Sequence, residues 1–133
     1  MTAPGVQDTP GDKPLVLIID DDDALREAMR EVLELHGFSA LTAGDGKAGV
    51  QLLAARVGEI AVVLLDLTLP VLRGDRALEE IRRISPTVPV ILMSGRSEGE
   101  TAQRLSGQRL DAVLKKPFDL EDLVNAVHMA LGR

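Results

Sequence analysis

The sequence predicts a doubly wound α/β fold built on a five-stranded parallel sheet, and three observations carry that prediction. Short apolar runs recur along the chain. The longest, Ile60-Ala61-Val62-Val63-Leu64-Leu65, is continuous instead of alternating, as in a strand buried on both faces. Between the runs lie segments whose apolar residues repeat at helical spacing. The runs end, on their C-terminal side, in polar groups: Asp20-Asp21-Asp22-Asp23, Asp66, Ser94 and Lys116. Open parallel sheets bind ligands beyond the carboxyl ends of their strands, so chemistry is expected at these positions.

Each element has its own signal. Residues 1–14 hold Pro4, Pro10 and Pro14 with Gly5 and Gly11 and no periodic apolar pattern, which reads as a flexible N-terminal tail ahead of one folded domain over 15–133. Leu15–Ile19 is the first strand. An amphipathic helix over about 24–36 follows, with Leu25, Met29, Val32, Leu33 and His36 on one stripe. The acids at its start suit the positive end of the helix dipole, and Gly37 stops it. Phe38–Ala43 is the second strand, and Gly44-Asp45-Gly46 turns into a helix near 47–56.

The central strand comes third, and Pro70 forbids its simple continuation. Its loop reaches Gly74, where a third helix runs to about Ile84 with Ala77, Leu78 and Ile81 facing inward. Pro86 and Pro89 bracket the start of a fourth strand, Val88–Met93. Ser97 and Glu100 form a capping-box pair for a short polar helix to about Ser106. Leu110–Leu114 is the fifth strand, and Asp119 caps a last helix carrying Leu120, Leu123, Val124, Val127 and Leu131. Strands alternating with helices need right-handed crossovers, and the flavodoxin-like order 2-1-3-4-5 fits a chain of this size. It sets the first and third strands side by side.

Composition narrows the function. The net charge of −6, from 15 basic and 21 acidic residues, argues against direct nucleic-acid binding, which needs clustered Lys and Arg. The chain has no cysteine, which excludes disulfides and thiolate metal sites and fits a reducing compartment. No apolar run approaches membrane-spanning length and the start lacks a signal-peptide pattern, so a cytoplasmic protein with no membrane partner is expected. Phe38 and Phe118 are the only aromatic residues, so the core is aliphatic.

In the expected strand order Asp20, Asp21 and Asp66 converge at one edge, with Ser94 and Lys116 arriving from the fourth and fifth strands. Crowded carboxylates raise one another's pKa values, and a hard divalent cation resolves the conflict. Magnesium prefers such oxygens: Asp20, Asp21 and Asp66 would be its ligands, with a backbone carbonyl near Thr68 as a further donor. The other Asp66 oxygen is then a nucleophile that can take a phosphoryl group as an acyl phosphate. Lys116 and the Ser94 hydroxyl would stabilise the charge on the phosphoryl oxygens. Singly, each residue has an ordinary explanation: acids start helices, Ser-Gly makes turns, and paired lysines are usually solvated. The specificity lies in the ordered set.

From about Leu15 to Leu131 the chain resembles the receiver domain of two-component response regulators. The matching residues are Asp20-Asp21, Asp66 with Pro70 and Gly74, Ser94-Gly95, and Lys116-Pro117-Phe118. The resemblance implies that Asp66 is the phosphoacceptor, charged by a histidine kinase or a histidine phosphotransfer protein. It implies that Asp20 and Asp21 bind magnesium, that Ser94 is the switch hydroxyl, that Lys116 binds phosphate, and that the Lys116–Pro117 bond is cis. It also leaves room for a homodimer through the face of the fourth helix, fifth strand and fifth helix. The run Leu92-Met93-Ser94-Gly95-Arg96-Ser97-Glu98 is most similar to receivers of hybrid sensor kinases.

Two features depart from the family pattern. Val113 stands where many receivers carry an aromatic ring coupled to the switch hydroxyl. Thr68 and Arg96 flank the expected path of hydrolytic water and so bear on phosphate lifetime. Phosphorylation would draw Ser94 and Lys116 inward, with the polar helix flanked by Gly95, Gly99 and Gly107 as the moving part.

Other readings compete. A receiver fold could act as a phosphorylation-independent interaction module; the five retained site residues count against this, and Val113 keeps it open. A phosphatase of the haloacid dehalogenase type also uses an aspartate nucleophile after a parallel strand, but it needs a second acid where Thr68 stands. Self-phosphorylation with autodephosphorylation, without turnover of a separate substrate, is the expectation. No output unit is expected within these residues. His36 and His128 read as structural, and Gly44-Asp45-Gly46 lacks the further glycine of a dinucleotide site.

Overall fold

The structure is a computed structural model of the chain and describes residues 13–67, 74–95 and 112–132. Among the described residues nine elements follow one another: β1 (Leu15–Ile19), α1 (Asp23–Leu35), β2 (Ser39–Ala43), α2 (Gly46–Ala55), β3 (Ile60–Asp66), α3 (Gly74–Ile84), β4 (Val90–Ser94), β5 (Ala112–Lys115) and α4 (Leu120–Ala130). The strands form one parallel sheet in the order β2-β1-β3-β4-β5. The expected flavodoxin-like topology is therefore present, with β1 beside β3. The helix expected over Ser97–Ser106 lies outside the described residues.

Continuous apolar strands bury both faces, and the two faces hold separate cores. Leu17, Ile19, Val63, Leu65 and Leu92 pack under α2 and α3, where Leu53, Ala77, Leu78 and Ile81 meet them. Val16, Ile18, Val62, Leu64, Ile91 and Met93 pack under α1 and α4, against Met29, Leu33, Leu123 and Val127. Alternate residues of one strand thus feed opposite cores, as the period of two requires. Phe38 fills the second core and meets the His128 ring at 5.1 Å between centroids. Gly49 gives α2 its close approach to the sheet: a Cβ there would lie 2.4 Å from Ile19 Cδ1.

Caps fix the helix starts. The Asp22 carboxylate accepts from the Leu25 amide at 3.0 Å, and the Asp45 carboxylate accepts from the Ala48 amide at 2.8 Å. At the start of α4 the Asp119 amide donates to Asp122 Oδ2 at 3.4 Å. Gly37, at φ +91°, ends α1 in the left-handed conformation that glycine adopts readily.

Three expectations shift. β4 begins at Val90, not Val88, because Pro89 has no N–H to give a ladder and the Val88 carbonyl accepts instead from Arg82 Nη1 at 2.6 Å. β2 begins at Ser39: Phe38 still closes the end of α1, its amide donating to the Leu33 carbonyl at 3.0 Å. His36 is exposed and does not join the inward stripe; its Nδ1 lies 2.8 Å from the Val32 carbonyl, an end-of-helix role.

Candidate functional site

The carboxyl ends of β1, β3, β4 and β5 bring the predicted polar residues to one edge of the sheet. Asp20 follows β1 directly and has no exposed surface. Its amide donates to the Ala43 carbonyl at 3.1 Å, and its Oδ1 accepts from the Asp22 amide at 2.9 Å. Asp66, the last residue of β3, is 1% exposed. Lys116 Nζ reaches both, donating to Asp20 Oδ2 at 2.8 Å and to Asp66 Oδ2 at 3.2 Å. One oxygen each from Asp20, Asp21 and Asp66 lie within 4.8 Å of one another. Asp21 is exposed, so the cluster opens to solvent on that side.

Backbone pairing brings the remaining group in. Asp66 is in register with Met93, which puts buried Ser94 one residue further along the same edge. The Lys116 amide donates to the Ser94 carbonyl at 2.8 Å, so β4 holds the base of the lysine. The Lys116–Pro117 peptide is cis. Beside the lysine, Asp22, Leu25, Lys116, Pro117 and Phe118 line a hollow of about 320 Å³ between the start of α1 and the chain entering α4.

The electrostatics follow from burial. Loss of water pushes the Asp20 carboxyl above its ordinary value; hydrogen bonds from Lys116 and Asp22 only partly offset this, and the nearby Asp66 charge adds to it. Partial burial opposes the charge on Lys116. The hydrogen bond to Asp20 and the charges of Asp20 and Asp66 outweigh that and hold its ammonium above the usual lysine value. One cation therefore serves two carboxylates. The donor set of three carboxylates, with no sulfur, suits a hard divalent ion such as magnesium. Thr68, whose carbonyl was expected as a further donor, lies outside the described residues, as do Pro70 and Arg96.

The family model described as "Response regulator receiver domain" matches residues 16–128. The chain belongs to the receiver domain family of response regulators. Among curated relatives of this receiver, the transcriptional regulatory protein CpxR homolog of Haemophilus influenzae is 38% identical over 89% of the chain and 50% of the relative. The sensor kinase CckA of Brucella abortus is 30% identical over 89% of the chain and 12% of the kinase. The chain spans half or less of these two relatives. The crystal structure of a response regulator receiver domain protein from Clostridium thermocellum matches with TM-score 0.83 and 29% identity, over 90% of this chain and 95% of that one. Receivers serve two-component signalling, bind magnesium at an acidic pocket and interact with histidine kinases or phosphotransfer proteins; they are not, in general, enzymes that turn over a separate substrate. Among the described residues, no helix is long and apolar enough to cross a membrane.

The structure places Asp20, Asp21, Asp66 and Lys116 together, as the sequence led us to expect, and adds a neighbour that was not expected, Arg26. Arg26 Nη1 donates to the Asp20 carbonyl at 2.8 Å. A sequence signal existed: Arg26 lies six positions after Asp20 and three after Asp23, within reach of both from the first turn of α1.

Proposed function

We propose that this receiver accepts a phosphoryl group on Asp66 from a phosphohistidine of a kinase or phosphotransfer protein. The observation that carries the reading is Lys116 Nζ set between the buried carboxylates of Asp20 and Asp66 at the carboxyl edge of the sheet. A carboxylate oxygen of Asp66 attacks phosphorus and forms the acyl phosphate bond. The P–N bond to histidine breaks, and the departing imidazole recovers a proton from solvent. The Lys116 ammonium, already at hydrogen-bond distance from Asp66, stays with the phosphoryl oxygens as their charge grows. The Ser94 hydroxyl donates to the same group once it is in place. Asp20, Asp21 and Asp66, with the Thr68 carbonyl as the further donor expected from the sequence, would hold magnesium, which would supply positive charge to the phosphoryl group. The apolar wall of Leu25, Pro117 and Phe118 beside Lys116 gives the donor a surface to rest on.

The output is a changed interaction surface. Val113, paired with Leu92 and packed on the α2–α3 side of the sheet, has no ring to swing. The message therefore starts from the Ser94 hydroxyl at the end of β4. The domain spans 15–133, and attachment to a hybrid kinase accords with the relatives that are sensor kinases. Incubation with acetyl phosphate and magnesium should yield one hydroxylamine-sensitive phosphate per chain, and Asp66→Asn should abolish it. Equal labelling of the Asn variant overturns the assignment.

A further inference from the structure

The geometry points to Arg26 as a positioning residue that clamps the main chain of Asp20 and so sets the magnesium affinity of the site. The inference rests on the phosphoacceptor reading. Arg26 is on α1, and its planar fork makes two contacts: Nη1 to the Asp20 carbonyl at 2.8 Å, and Nη2 to Asp23 Oδ1 at 2.6 Å. The second alone would be an ordinary surface ion pair, since the Asp23 side chain is 89% exposed, and worth little. The first is different. It reaches back from the helix to the residue where β1 ends, and the arginine side chain is only 20% exposed.

The other side of the Asp20 backbone is held as well. Its amide donates to the Ala43 carbonyl, the last residue of β2. The next residue, Gly44, lies beneath the guanidinium: a Cβ there would stand 3.4 Å from Nη1. Arg26 thus closes the loop after β1 against the loop after β2, and Asp20 is gripped at amide, carbonyl and both carboxylate oxygens. A magnesium ligand gains from such restraint because binding then orders less of the protein. Partners that orient metal ligands typically contribute about 10–100-fold in affinity.

Charge and positioning predict opposite signs. A cation near three carboxylates repels magnesium, so losing its charge alone would tighten binding. Arg26→Lys keeps the charge and removes the two-pronged fork, which isolates the positioning effect. Gly44→Leu is the complementary variant, because it leaves Arg26 in place and crowds the guanidinium. Two measurements are needed on each folded protein: magnesium affinity by titration, and hydrogen exchange of the Asp22 amide, which donates to Asp20 Oδ1, without metal. Both variants should bind magnesium about tenfold more weakly. At saturating magnesium, labelling by acetyl phosphate should return to within about twofold of the parent, and the Asp22 amide should exchange faster. Unchanged affinity and exchange in both variants overturn the inference. A parent protein indifferent to magnesium sinks the phosphoacceptor reading instead, and the exchange rates then decide the clamp by themselves.

Discussion

The interior of β3 and its last residue are buried alike, yet burial has opposite consequences at the two places. Val62, Val63, Leu64 and Leu65 have no exposed surface and neither does Asp20, while Asp66 is 1% exposed. For the aliphatic residues, removal from water drives folding. For the carboxylates it is opposed by lost hydration, which the protein offsets with hydrogen bonds and one shared lysine. The difference teaches where stability is made and where it is given up: the sheet interior supports an edge that would not persist alone.

Variants along this one axis sharpen the contrast. Leu64→Ala, in the centre of the α1–α4 core, should show the largest effect, a destabilisation of about 3 kcal/mol in urea unfolding. If it costs no more than the substitutions at the edge, the contrast fails. Lys116→Met should come next. It leaves two buried carboxylates without their shared cation, and with the lysine a quarter exposed a loss of about 2 kcal/mol at neutral pH is expected.

Asp20→Asn should be smaller and opposite in sign, stabilising the metal-free protein by about 1 kcal/mol at neutral pH. The pH dependence follows from the raised pKa. The folded state holds the Asp20 proton more tightly than the unfolded chain, whose carboxyl titrates near its ordinary 3.8. As pH falls through the folded-state value, the parent regains stability and the advantage of Asn shrinks. An advantage that grows in acid would show that burial does not dominate at Asp20. With magnesium added the order should reverse, because the parent gains binding energy that the variant forgoes.

Much of this was legible in the residues. Unbroken aliphatic runs in β1, β3 and β4 gave strand identity, and the acids closing two of them located the site. Val88 shows the limit: it is buried and β-branched, yet it lies in a bend, because apolar character reports burial and not ladder pairing. His36 shows another, since a residue at helical spacing with the core can still turn outward at the end of a helix. Arg26 escaped notice because a charged residue on a helix is usually solvated, and nothing in the sequence says that its target is a main-chain carbonyl. The sharing of Lys116 between Asp20 and Asp66 is a matter of ångströms that no residue spacing encodes.

The contact between Lys116 and Asp20 joins positions 96 residues apart, each just past the end of a strand, and those two strands, β1 and β5, flank β3 and β4 and do not pair with each other. A fragment that ends before Lys116 lacks it. Because β5 is the last strand in the chain, Asp20 and Asp66 acquire this partner only when that strand takes its place at the end of the sheet.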